Sequence, residues 1–330
     1  MPVFNALPHL DQAVESILQQ TVADFEFVIL DDASTDGSTE RLRYWASRDP
    51  RIRLVEVDKN LGPAMSSERA AREARAPIVA RMDADDISCP TRLEEQLKVL
   101  DAHPDVGVVG GLWDVIDANG REIRKPEPWR ILRRSVFPPF GNGPMMYRRE
   151  VFERVGGYRR ECEFWEDHDL VLRMAAVTKI MVIPHAIYKV RQSTTSTRIV
   201  SGQERLERAV DLMYRSSDRL WHNDGYDEVV TSARAPDAKL DPRVFISLGS
   251  LVLWGGGRPR LFRRLLQRGE LSFNFRATSA LVWTAWASLS PATLRLFLRG
   301  LLIARNRFAV TMLHSDEPVL WKPGTGASTD

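Results

Sequence analysis

Three times within the first hundred residues, a short apolar, β-branched run ends in polar or acidic residues and gives way to a helical pattern. "FEFVIL" (25–30) stops at Asp31-Asp32 and is followed by "STDGSTERLRYWASR", whose Ser, Thr and Asp suit a helix start. "IRLVEV" (52–57) leads into "DKNLG" and a helix to about Arg75, and "PIVARM" (77–82) leads into "DADD" and a helix from about Pro90. Ahead of these units Leu10, Val14, Ile17 and Leu18 have helical spacing, with Pro8 suited to a first turn. The alternation predicts an α/β fold, Rossmann-like, with a mostly parallel central sheet and helices on both faces. Ligands in such sheets bind beyond the carboxyl ends of the strands, so Asp31, Asp32, Asp83 and Asp85 are expected to line one crevice.

Asp83 and Asp85 form a D-x-D on a loop, which can turn two hard oxygen donors toward Mg²⁺ or Mn²⁺, and such an ion neutralises a diphosphate. A solvated turn in which Asp86 or Ser88 caps the helix at Pro90 fits the same residues. A calcium loop does not, because Ile87, Ser88 and Pro90 fall where a ligand, a turn glycine and flexible backbone are needed. Asp31-Asp32 ends a different strand, where a carboxylate can accept from a ribose hydroxyl or a base N–H. Asp36 reads as a helix cap. Beyond "VGVVGGLWDVI" (106–116), Pro126, Pro128, Pro138, Pro139 and the "GNG" at 141–143 read as active-site loops. A helix is predicted from Glu166 to Ala176, then a strand near "IMVIP" and a mainly helical region after Ser201.

Charge is nearly balanced, Lys+Arg 46 against Asp+Glu 44, which gives no indication of a nucleic-acid partner. Two cysteines, Cys89 and Cys162, make no disulfide framework and no metal spacing, which fits a reducing cytoplasm. The N-terminal "MPVFNALPHLDQ" has no secretory-signal character, and no run reaches the roughly 18 apolar residues of a spanning helix. Between Arg243 and Arg307 there are eleven arginines, no lysine and one acid, Glu270. With Trp, Phe and Leu at helical spacing, that segment suits a helix lying on an anionic membrane, at the inner face of the plasma membrane, and equally a helical subdomain or dimer contact.

The order of motifs resembles family 2 of the glycosyltransferases, inverting nucleotide-sugar enzymes of the GT-A fold. The residues that carry the resemblance are "MPVFN" (1–5), "SILQQT" (16–21), "FVILDDASTDGS" (27–38), "NLG" (60–62), "RMDADD" (81–86), "PTRLEEQ" (90–96), "MMYRREVFERVGGY" (145–158), "EDHDLVLRM" (166–174) and "VRQSTTS" (190–196). They divide the chain into a catalytic domain, 1–200, and an Arg-rich, mainly helical region, 201–330. By position, the resemblance implies nucleotide-sugar binding by Asn5, Asp31, Asp32, Asn60, Asp83 and Arg191. It implies a metal, Mg²⁺ or Mn²⁺, on Asp85 with Asp83, and catalysis by Asp167 with Glu166. Arg191 is expected near a loop that closes over the diphosphate, where a guanidinium suits the charge. A carboxylate at Asp167 can take the proton of an acceptor hydroxyl as it attacks opposite the departing diphosphate, and Glu166 can orient the acceptor. The same acids would also stabilise a helix's first turn by about 0.3–1 kcal/mol each. His168 is expected to face elsewhere, as a surface or cap histidine, and Trp165 to stack on a sugar or to pack.

Three departures from the family pattern stand out. The family has a hydrophobic strand before its P-V-x-N, so a late start or a truncated first strand is expected. Ser66-Ser67-Glu68 replaces an A-R-N, and Ser193 stands where relatives carry a metal-binding histidine. The expected activity is transfer of a sugar from a nucleotide diphosphate donor, UDP-linked, to a glycan or lipid-linked acceptor in cell-surface polysaccharide or lipopolysaccharide assembly. A catalytically inactive nucleotide-sugar-binding scaffold is the alternative from another class. A sugar-1-phosphate nucleotidyltransferase is disfavoured by the lack of a Gly-rich, basic phosphate loop.

Overall fold

The computed structural model describes residues 1–125, 140–163, 165–192 and 318–321. The proline-rich stretch 126–139, Ser193 and the arginine-rich segment 243–307 lie outside them.

The first sheet is wholly parallel. Strand β2 (Phe27–Asp31) is buried along its whole length, and it lies between β1 (Pro2–Val3) and β3 (Ile52–Glu56). Val3 pairs with Asp31 and Asp31 with Glu56, so the three carboxyl ends stand level. Where the resemblance implies a strand ahead of the P-V-x-N motif, Pro2 and Val3 themselves occupy the place beside β2. Helix α1 (Leu7–Leu18) buries Leu10, Ala13, Val14 and Ile17, the stripe that spacings of three and four produce, and each large side chain so buried contributes about 1.5–3 kcal/mol. Helices α2 (Ser38–Arg48) and α3 (Pro63–Glu73) follow β2 and β3. Asp36 ties α1 to α2, accepting from the Leu7 and Ser38 N–H groups at 3.0 Å each.

The second sheet is mixed. After β4 (Ile78–Ala80), β5 (Ile87–Ser88) and α4 (Arg92–Ala102), the long strand β6 (Val106–Ile116) forms its centre. β7 (Glu122–Arg124) folds back on β6, and β8 (Met146–Arg148) runs antiparallel between β6 and β4. Helix α5 (Arg149–Arg154), a 3₁₀ turn at 160–162 and α6 (Glu166–Ala175) lead to β9 (Lys179–Arg191), which lies parallel to β6; β10 (Val319–Trp321) borders β9. Along β6, whose register shifts between Val106 and Val108, and along β9, Val106, Val109, Met181 and Ile183 go to one core with α1 and α4. Val108, Leu112, Ile180 and Val182 go to the other, against Phe152, Leu170 and Met174. Both faces are thus covered, as the unbroken apolar runs of these strands require.

Candidate active site

The level ends of the first sheet form one rim. Asp31 and Asp32 are buried at 2% and 3% exposure, and each carboxylate oxygen accepts one hydrogen bond. Asp31 accepts from the Ser34 N–H (3.3 Å) and the Thr39 hydroxyl (2.5 Å). Asp32 accepts from the Leu61 N–H (2.7 Å) and the Gly62 N–H (3.2 Å). Asn60 closes the same turn, its Oδ1 accepting from the Gly62 N–H at 3.0 Å. Asn5 carries its amide oxygen to the Thr35 N–H at 2.8 Å. Asn5 (φ 52°) and Ala33 (φ 59°) are the non-glycine residues with left-handed backbone among those described, and both stand on this rim. Asparagine tolerates that conformation and alanine does so at a cost, the kind of strain that concentrates at ligand sites.

The acidic loop after β4 forms a second wall, supported from beneath. The Asp83 N–H donates to the Tyr188 hydroxyl (3.1 Å) and its carboxylate pairs with Arg81 (3.0 Å). Arg81 is itself buried, donates to the Ser67 hydroxyl at 3.0 Å, and leaves its Nε–H without a partner among the described residues. Burial is the largest single influence on Arg81 and opposes its charge, but Asp83, Tyr158, Tyr188 and Glu166 together outweigh it and hold the guanidinium above its ordinary range. Below lies Arg92, fully buried, donating to the Arg81 carbonyl at 2.6 Å and set 5.0 Å from the Tyr188 ring centre. Burial lowers its pKa to about 10. Burial, then the neighbouring Asp83, raises Asp85 to about 6. Asp86 is pushed well above the carboxylate range by burial and by Asp85 and Asp83.

Several expectations need correction here. Asp86 and Ser88 do not cap α4, whose N-cap is Thr91. The Asp86 carboxylate instead accepts the Arg191 N–H at 2.8 Å, and the Ser88 hydroxyl accepts from Gln20 at 3.1 Å. Arg191, expected at the diphosphate, is buried and spends most of its guanidinium on the fold. Nε donates to the Asp85 carbonyl (2.8 Å), Nη1 to the Asp117 and Ala118 carbonyls (2.9 Å each) and Nη2 to Gln12 (2.6 Å). It fastens the acidic loop to the end of β9.

Helix α6 brings the third group of acids. Glu166 and Asp167 are buried in its first turn. Asp167 Oδ1 accepts the His168 N–H at 2.8 Å and meets His168 Nδ1 at 2.9 Å. His168 is therefore no surface histidine: it is 8% exposed, and its ring sits edge-on to Trp165 at 5.3 Å. Trp165 is buried at 5% exposure, a packing residue rather than a sugar platform. Asp169 binds Arg173, which also donates to the Val155 (2.6 Å) and Gly157 (2.7 Å) carbonyls, so α6 is moored to the "VGGY" turn. The same turn explains Ser66-Ser67-Glu68. Glu68 Oε2 accepts the Tyr158 N–H at 2.7 Å, and at Gly157 (φ 73°) any side chain would strike that carboxylate at 2.2 Å. Tyr158 in turn donates to Asn142 at 2.8 Å, positioning the loop that carries Gly141 beside Asp167. The rim and the α6 approach meet at Gly62, where an added Cβ would fall 2.2 Å from Glu163.

Sequence reasoning missed Arg81, Arg92, Tyr188, Glu68 and His168 as parts of this site. A signal existed for one pair: arginines in otherwise apolar or core-facing positions, such as Arg81 in "PIVARM", call for a buried partner. The donor set is made of hard carboxylate oxygens, with Asp85 and Asp86 raised by burial and by their acidic neighbours, and so fits an Mg²⁺- or Mn²⁺-type ion. Among the described residues no three His, Cys, Asp or Glu side chains converge as a complete metal cage.

Solved structures share this arrangement of sheet and helices. The mannosyltransferase PcManGT from Pyrobaculum calidifontis, in complex with GDP-Man and Mn²⁺, matches with a TM-score of 0.55 at 21% identity, over 96% of this chain and 86% of that one. S. aureus TarS in complex with UDP-GlcNAc matches with a TM-score of 0.53 at 15% identity, over 79% of this chain and 81% of that one. The fold is that of the GT-A class of glycosyltransferases. The family model for glycosyl transferase family 2 matches residues 1–156. EpsE of Bacillus subtilis (strain 168), which carries a glycosyltransferase name, is 31% identical over 229 residues, 67% of this chain and 81% of EpsE. The amylovoran biosynthesis glycosyltransferase AmsE of Erwinia amylovora is 28% identical over 210 residues, 62% of this chain and 78% of AmsE. The chain belongs to glycosyl transferase family 2 and is a glycosyltransferase.

Proposed function

We propose that the enzyme transfers a sugar, with inversion, from a nucleotide diphosphate donor, UDP-linked, to a hydroxyl of a glycan or lipid-linked acceptor in cell-surface polysaccharide assembly. The observation that carries this reading is the acidic loop: three carboxylates at 83, 85 and 86, held together by Tyr188 and Arg191, with Asp85 raised to about 6. Arg81 pairs with Asp83, but Asp85 stays raised by burial and by Asp83, so a divalent cation would relieve charge that the arginines leave. Asp85, with Asp83 alongside, would hold Mg²⁺ or Mn²⁺, which when bound neutralises the diphosphate. The names of the relatives support the pathway, and the ligands of the solved neighbours support a nucleotide-sugar donor without choosing its base: AmsE is named for amylovoran biosynthesis, PcManGT was solved with GDP-Man and Mn²⁺, and TarS with UDP-GlcNAc.

The residues divide the work by position. Asp31, Asp32, Asn5 and Asn60 shape the nucleoside end, where the carboxylates keep lone pairs beyond those their own loops use. Asp167, buried at the first turn of α6, takes the proton of the acceptor hydroxyl as it attacks the anomeric carbon, and Glu166 orients that acceptor. The region 201–330, with its arginine-rich segment, carries the enzyme to the inner face of the membrane and so to lipid-linked acceptors. Among the described residues no helix is long and apolar enough to cross a membrane.

Calorimetry of UDP binding with and without Mn²⁺ tests the reading, followed by turnover of UDP-sugars. Mn²⁺-dependent UDP binding is expected. Binding of GDP in place of UDP would overturn the donor, and metal-independent binding would overturn the role of Asp85.

A further inference from the structure

We infer that His168 is a positioning residue for the Asp167 carboxylate, fixing which oxygen faces the acceptor. The inference rests on the reading of Asp167 as the base. Two donors of one residue converge on one oxygen: the His168 backbone N–H lies 2.8 Å from Asp167 Oδ1 and its ring Nδ1 lies 2.9 Å from the same atom. An ionised carboxylate only accepts, so the imidazole presents Nδ1–H to it, and Nε2 is the acceptor of that tautomer. The ring is held in turn, because it is 8% exposed and packs against Trp165 in a T-shaped contact, at 63° and 5.3 Å.

The consequence concerns the other oxygen. With Oδ1 engaged twice, the carboxylate cannot turn freely about its axis, and Oδ2 is directed toward Gly141, where a Cβ would stand 3.9 Å from it. A hydroxyl must reach a general base at hydrogen-bond distance in a fixed direction, and glycine at 141 adds no side chain of its own on that side. Base and orienting partner thus form a pair of the kind seen wherever a proton acceptor must hold one direction through the reaction. The orienting group here is the next residue in the chain, with its ring folded back along the helix start.

The test compares His168→Phe, which keeps an aromatic ring against Trp165 but removes the N–H, with His168→Asn, which keeps a short donor. Each is measured in the full chain for UDP affinity, for kcat and for KM of the acceptor, beside Asp167→Asn. His168→Phe is expected to bind UDP as the wild type does while kcat falls on the order of tenfold to a hundredfold, with partial recovery in His168→Asn. Wild-type kcat in His168→Phe, or equal loss in both His168 variants, overturns the inference. If His168→Phe does not fold, His168→Asn alone decides: wild-type UDP affinity with kcat between wild type and Asp167→Asn supports it, and an unchanged kcat refutes it. Normal turnover by Asp167→Asn would sink the base assignment itself, whereas an inactive Asp167→Asn beside a normal His168→Phe would sink only the positioning role.

Discussion

Replacing Asp85 by Asn should make the metal-free protein more stable while abolishing its response to metal. Burial and the Asp83 charge raise Asp85 from 3.8 to about 6 in the folded chain, so the ionised carboxylate opposes folding. At about 1.4 kcal/mol per pKa unit, the shift corresponds to a ceiling of about 3 kcal/mol at pH 8. Sharing of charge with Asp83 and Asp86 reduces what one substitution relieves, and about 1–2 kcal/mol is expected, or ~3–6 °C in midpoint for a domain of this size. The sign follows from linkage. A carboxylate whose folded pKa is raised costs stability above that pKa, and the cost vanishes below the unfolded value. The advantage of Asp85→Asn should be full at pH 8, roughly halved at pH 5 and mostly gone at pH 4. Differential scanning fluorimetry in EDTA across that range reads it directly. Added Mn²⁺ with UDP should then raise the wild type and leave the variant unmoved. A variant no more stable than wild type at pH 8, or one whose advantage does not change with pH, would refute the claim that this loop stores unfavourable charge.

Three further outcomes follow from the geometry. Asp167→Asn should keep Mn²⁺-dependent UDP affinity and lose about 10²–10⁴ in kcat, measured by calorimetry and turnover on one preparation; parallel loss of both would assign Asp167 to donor binding. Arg191→Met strands the Asp85, Asp117 and Ala118 carbonyls, and the urea midpoint should fall by the equivalent of about 3–5 kcal/mol, with weaker metal response. Unchanged stability would return Arg191 to the diphosphate. Gly141→Val should raise the acceptor KM with UDP affinity intact, since the new side chain stands in the approach to Asp167 Oδ2.

In the parallel sheet β2 and β3 were legible because each is long enough to show its run and ends in a change of composition, whereas the two-residue β1 was not. "FVILD" is buried throughout, and α1 buries the stripe its spacing predicts. Of the strands that pair antiparallel, β4 was legible within "PIVARM", but β5 and β8 were not. β5 has two residues and β8 three, too few for any period, and β8 was hidden within a stretch that read as loop. The acids of the site were visible as types at strand and helix ends, but their duties were not. Asp86 and Arg191 meet across 105 residues, and nothing local in "DADD" announces a partner on β9. His168 shows the same limit at close range: adjacent residues on a helix point about 100° apart, which argues against contact, yet the imidazole folds back onto its neighbour's carboxylate. Glu68 read as a lost family contact because its partner, the Tyr158 N–H, becomes visible only when α3 packs on the "VGGY" turn.

The bond between Asp86 and Arg191 also sets a timetable. A nascent chain grows from its N-terminus, so the D-x-D is made well before the tyrosine and arginine that hold it in place. Until β9 has been synthesised and has joined β6, the acidic loop lacks the Tyr188 and Arg191 contacts and has the neighbouring Arg81 beside Asp83. A fragment ending at residue 156 would carry nearly every recognisable motif of the donor site and none of the β9 framework that gives the acidic loop its shape. The acidic loop therefore takes two of its supports from a strand made later in the chain, each contact spanning 105 residues.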